Sequence, residues 1–190
     1  MTPIDTTLIQ VIASRCGVTV RQAEHTVQLL AEGATVPFIS RYRKERTGGL
    51  DEVQVSAVKV QFERLSELEK RKETILASID EQGKLAPELR MKIEQRYEGA
   101  PLEDLYLPYR PKRRTRATVA REKGLEPLAA MLMRQDGARP DRLAERFVGG
   151  EVHDLQEALD GACDIIAEWV SESEAARSAM RRLFTREGVI

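Results

Sequence analysis

The residues best placed for chemistry lie in Tyr109–Arg116, YRPKRRTR, where Arg110, Lys112, Arg113, Arg114 and Arg116 set five cations within seven positions. Pro108 and Pro111 fix their own φ and disfavour helix in the residue before each. The charges are therefore expected to fan out from an extended loop. Such a loop suits a phosphate backbone, with Tyr106 or Tyr109 as a stacking partner. It suits equally a lattice of arginines tying neighbouring helices together, because the guanidinium fork fits a carboxylate as well as a phosphate. A plain solvated loop is the third reading.

A second cationic cluster, Arg41, Arg43, Lys44 and Arg46, lies in VPFISRYRKERTGG. Thr35, Val36 and Pro37 are expected to break helix there, with Phe38 and Ile39 buried. Arginines starting that close to a core often bridge carboxylates of adjacent elements.

Other chemistry is thinly represented. His25 and His153 each lack His, Cys or carboxylate neighbours at metal spacing and read as helix-surface residues. Phosphate-cradling glycine loops and nucleophile elbows are absent. No active site, metal or cofactor is expected within these 190 residues. Cys16 and Cys163 are far apart, outside any C-x-x-C context, and read as reduced, buried thiols. No run approaches the roughly 18 uncharged apolar residues of a membrane span, so a cytoplasmic protein with no membrane partner is expected.

Net charge is −1, which argues against a dedicated polycation, but the charge is unevenly spread. Residues 110–123 carry seven cations and one anion, whereas 151–174 carry eight carboxylates and no Lys or Arg. Blocks of opposite sign imply two partners or one internal electrostatic contact. The acidic block is expected as the wet face of a helix whose other side holds Leu155, Leu159, Cys163, Ile166 and Trp169.

The elements that must position these groups are all helical. Residues 6–16 carry an amphipathic stripe stopped by Gly17; Thr19 with Gln22 forms a capping box for a second helix burying Val20, Ala23, Val27 and Leu30. The pair is superficially helix-turn-helix-like, although the second helix offers few base-reading side chains. Asp51 opens a run to Gln82 without Gly or Pro, with Val58, Leu65, Leu68, Ile75 and Ile79 on a stripe that polar Gln61 and Lys72 interrupt. Pro87 starts the following helix, 86–97. Thr118 is expected to cap a short helix after the basic loop, followed by 125–134, 142–148, 152–171 and 175–184. The fold class is all-α, an elongated multi-helix region with one long helix over about 51–82. Its divisions are 1–50, the helical hairpin and RYRKER segment; 51–100, the long helix and an antiparallel partner; and 101–190, the basic loop and C-terminal helices.

Two long blocks, EGATVPFISRYRKERTGGLDE (32–52) and LEDLYLPYRPKRRTRATVAREKGLEPLA (102–129), with EKRKETILASIDEQGKLAPELR (69–90) between them, resemble the N-terminal region of the bacterial transcription accessory protein Tex family. The resemblance implies a multidomain protein in which an RNase-H-like domain, a helix-hairpin-helix pair and an OB-fold RNA-binding domain follow a helical N-terminal region. It also implies distant kinship to a eukaryotic elongation factor that contacts RNA polymerase and histones. This chain is then expected to be a piece of a longer protein. In such a family Arg41, Arg43 and Arg46 are expected to brace the fold through ion pairs with Glu103 and Asp104. Tyr109, Arg110, Lys112, Arg113, Arg114 and Arg116 are the candidate nucleic-acid contacts. The reading is a non-enzymatic helical scaffold with an accessory, weak and non-specific RNA or DNA surface. The rival reading is a module that docks on RNA polymerase or on other domains of its own chain.

Overall fold

Thr19 accepts a hydrogen bond from the backbone N–H of Gln22, whose side chain accepts in return from Thr19 N, and this reciprocal cap starts α2 where the sequence places it. The computed structural model describes residues 6–188. Among these there are twelve α-helices and no strand. They form two compact units, one running to Tyr97 and the other starting at Glu98.

The first unit holds α1 (Thr6–Cys16), α2 (Val20–Ala31), α3 (Val36–Tyr42), α4 (Lys44–Thr47), α5 (Glu52–Glu81) and α6 (Pro87–Glu94). Asp51 and Gln54 repeat the reciprocal cap at the start of α5, whose 30 residues extend for about 45 Å. Ile9, Ile12, Ala23, Val27, Val58 and Leu65 make one apolar cluster where α1, α2 and α5 meet. Leu29, Ile39, Leu50 and Val55 make another beneath α3.

Four expectations change here. Pro37 does not break helix: it occupies the first turn of α3 behind Thr35, where a missing N–H costs nothing. Of the pair after it only Ile39 is buried, while Phe38 is 40% exposed. Val20 faces solvent, and Thr26 and Leu29 take the inner face of α2 instead. Lys72 is not an interruption of the α5 stripe but part of it, 3% exposed.

The second unit holds α7 (Gly99–Tyr106), a 3-10 turn over Leu107–Tyr109, α8 (Arg116–Glu122), α9 (Glu126–Met133), α10 (Pro140–Ala144), α11 (Leu155–Glu172) and α12 (Glu174–Glu187). Its core joins Ala117, Ala120, Leu125, Leu128, Ala158, Ala162 and Ile165, with Trp169 and Leu159 packed at the edge. Small residues let α8 lie tightly on α11: a Cβ at Gly161 would sit 3.2 Å from Ala120 Cβ of α8. Cys163 is exposed, contrary to expectation, because Ala162 and Ile165 take the inner face of α11. Cys16 is half-buried, and desolvation pushes its thiol up.

Candidate nucleic-acid interface

The basic loop begins as Pro108 tightens the chain into a 3-10 turn, after which Arg110 is extended and 111–115 have no regular structure. Thr115, not Thr118, caps the next helix; Thr118 completes that box by accepting from Thr115 N. Arg116 is therefore the first residue of α8 and not part of the loop.

The six candidate contacts then separate by their partners. Lys112 Nζ lies 2.5 Å from Glu172 and 3.4 Å from Glu168. Arg121, in the last turn of α8, reaches Glu168 at 2.6 Å. Arg114 donates to Glu122 at 2.7 Å, and Arg116 stands 3.7 Å from Asp164 while remaining 90% exposed. Arg110 and Arg113 are exposed and form no ion pair among the described residues. Tyr109 is half-buried.

The opposite-sign blocks thus meet within one unit, which corrects the expectation that the α11 carboxylates are simply wet. The side chains of Glu168 and Glu172 are only 11% and 18% exposed. Burial pushes the Glu168 carboxyl up, but hydrogen bonds from Arg121 and Lys112 and their charges outweigh it and leave it lowered. Glu157 accepts from His153 N at 2.8 Å and from Lys123 at 2.5 Å, and these hold its carboxyl below the usual range. Asp154 caps α11 by accepting from Glu157 N at 2.8 Å.

Asp104 is 2% exposed on α7, and its partners differ from those the sequence suggests. Arg177 Nε donates to Oδ1 at 2.5 Å and Arg181 Nη2 donates to Oδ2, so one carboxylate holds two successive turns of α12. Burial raises this carboxyl; the hydrogen bonds and charges of Arg181 and Arg177 reverse the shift, and its net displacement is downward. Glu103 beside it is half-buried. The two arginines could not have been assigned from the sequence, since 73 and 77 residues separate them from Asp104. A buried carboxylate on the inner face of a short helix was the available signal.

The RYRKER segment is anchored through its backbone and not through its charges. His25 Nδ1 donates to the Arg46 carbonyl at 2.6 Å, and Gln22 Nε2 donates to the Gly48 carbonyl at 3.2 Å. Thr47 and Ile39 are fully buried. Arg46 pairs only loosely with Glu32, at 3.8 Å. Arg41 and Arg43 are exposed and form no ion pair among the described residues. Arg43 lies over the Phe38 ring, 5.1 Å from its centre.

Residues 6–80 match the Tex-like protein N-terminal domain. The chain is 44% identical over 185 residues to Protein tex of Bordetella pertussis, covering 96% of this chain and 23% of that protein. It is 41% identical over 183 residues to the transcriptional accessory protein Tex of Neisseria gonorrhoeae, covering 96% of this chain and 24% of the relative. Likeness extends at 26% identity over 190 residues to the human S1 RNA-binding domain-containing protein 1, covering 96% of this chain and 18% of that protein. The chain spans about a quarter of the length of its bacterial relatives. No helix among the described residues is long and apolar enough to cross a membrane. Residues 6–80 are thus a Tex-like N-terminal domain, and over 96% of its length the chain is similar to Tex proteins.

Proposed function

We propose that this region is a non-enzymatic helical scaffold of a transcription accessory protein, with the 109–116 segment as an accessory nucleic-acid surface. The observation that carries the reading is the division of labour in the basic block. Lys112 fastens the loop to α11 through Glu168 and Glu172, and Arg121 fastens α8, directly after the loop, to Glu168. Arg110 and Arg113 are left exposed on a backbone those pairs hold in place. Pre-fixed cations meet phosphates with less ordering cost than a free loop. The names of the relatives, a transcriptional accessory protein and an S1 RNA-binding domain protein, point to the same ligand class.

The test is a gel shift with single-stranded oligonucleotide across a salt series. Arg110→Gln with Arg113→Gln should weaken binding at low salt and reduce the salt slope by about 1.4, two phosphates at about 0.7 each. Binding equal to the parent at every salt removes the loop from the interface.

Docking on RNA polymerase or on other domains of the same chain is the second reading. It is favoured by Val170, Met180, Leu183 and Phe184, which leave apolar surface exposed at the α11–α12 end of the second unit. Association that persists in high salt and is lost on Phe184→Ser supports it over the first.

A further inference from the structure

Exposed cations without an ion pair also lie outside the 109–116 loop. Arg41, Arg43 and Lys44 are exposed at the junction of α3 and α4, and no ion pair engages them among the described residues. Beside them two aromatic rings face solvent: Phe38 is 40% and Tyr42 64% exposed. Ile39, Ser40 and Thr47 supply the buried side of this segment, which leaves both rings on its outer side. The rings are ordered against one another, 5.6 Å apart with 42° between their planes. Arg43 closes one face of Phe38, and its Nη1 also donates to the Tyr42 carbonyl at 3.3 Å. Rigid exposed rings flanked by unpaired cations supply what a flexible phosphodiester strand needs, a platform for an unstacked base and charges for the phosphates on either side.

We propose that Tyr42, with Arg41 and Lys44, forms a second single-stranded nucleic-acid contact, in which the Tyr42 ring stacks a base and the two cations hold adjacent phosphates. Arg43 is a positioning residue that fixes the ring pair from behind. The site shares the ligand class proposed for the 109–116 loop but none of its residues, so either can fail alone. The mixed-charge, apolar-backed surface at α12 lacks this combination, because Arg177 and Arg181 are taken up by Asp104.

Fluorescence anisotropy on the full 190-residue chain tests it, using labelled oligouridine and oligodeoxyuridine of equal length. Tyr42→Ala should weaken binding about tenfold with an unchanged salt slope, as expected for a lost stack. Tyr42→Phe should bind like the parent. Arg41→Gln with Lys44→Gln should lower the slope by about 1.4. A 2′-hydroxyl preference in the parent that disappears in Tyr42→Ala assigns RNA to the site, and equal affinities assign either strand. Circular dichroism confirms that the variants remain helical. Parent-like binding by Tyr42→Ala and by the charge pair overturns the proposal, as does a loss with Tyr42→Phe as large as with Tyr42→Ala.

Discussion

The ammonium of Lys72 lies 4.4 Å from the centre of the Tyr97 ring, inside the first unit and almost without solvent contact. Its three donors are well used: Nζ also donates to Glu69 Oε1 and to the Glu94 carbonyl, each at 2.7 Å. One lysine thereby ties α5 to the end of α6 and to Tyr97, which in turn accepts a 2.9 Å bond at its carbonyl from Arg15.

Lys72→Ala removes a packed aliphatic stem and leaves the Glu94 carbonyl without its charged donor. The expected loss is about 2–3 kcal/mol, from a charge-assisted hydrogen bond plus lost packing. Lys72→Met keeps most of the stem and should cost about half as much. Urea denaturation of the two variants separates the contributions. If methionine costs as much as alanine, the packing share is negligible.

Asp104 provides the pH dependence. Its folded-state pKa is depressed, so its stabilisation is complete above the unfolded carboxylate value of about 3.9 and is lost as pH falls through the lower folded value. Stability should decline from about pH 4 downward, and Asp104→Asn should flatten that decline. At pH 7 the substitution should cost about 2–3 kcal/mol, less than for a wholly buried pair because Arg177 and Arg181 are 43% and 38% exposed. Thermal melts at pH 7 and pH 3 measure both. Equal differences from the parent at the two pH values contradict the assignment.

Gly161→Ala sets two effects against each other. Alanine in a helix gains about 1 kcal/mol in propensity, but its Cβ would lie 2.5 Å from Leu125 Cδ1 and 3.2 Å from Ala120 Cβ. Leu125 is 1% exposed and has little room to retreat, so overpacking of about 1–3 kcal/mol should win. A lower denaturation midpoint is expected. An unchanged or raised midpoint means Leu125 and α8 give way to the added Cβ at no cost.

Local signals in the sequence reported faithfully on helix starts. Thr19–Gln22, Asp51 and Pro87 each begin a helix for reasons contained within four residues. Pro37 misled because the same residue opens a helix or breaks one, depending on whether its N–H was needed. Lys72 and the α11 carboxylates misled for a different reason. Whether a charge is wet or buried depends on a partner distant in sequence, 22 residues away for the Glu94 carbonyl and far more for Asp104 and Arg181. Charge blocks 110–123 and 151–174 left two partners and one internal contact equally open, and spacing alone could not say which cation meets which carboxylate. At and just after RYRKER the anchoring bonds run through the Arg46 and Gly48 carbonyls, and backbone acceptors leave no trace in residue type.

The pairing of Lys112 and Arg121 with Glu168 also gives part of this protein's positive charge a permanent internal counterion. A bare lysine that meets a phosphate frees mobile salt ions, and that release makes binding fall steeply with ionic strength. A lysine already neutralised by a glutamate has few such ions to free; a phosphate must displace the carboxylate itself. Helix α11 therefore behaves towards the loop as a covalently attached polyanion, and any strand that reaches Lys112 binds by exchange with it, with a muted response to salt.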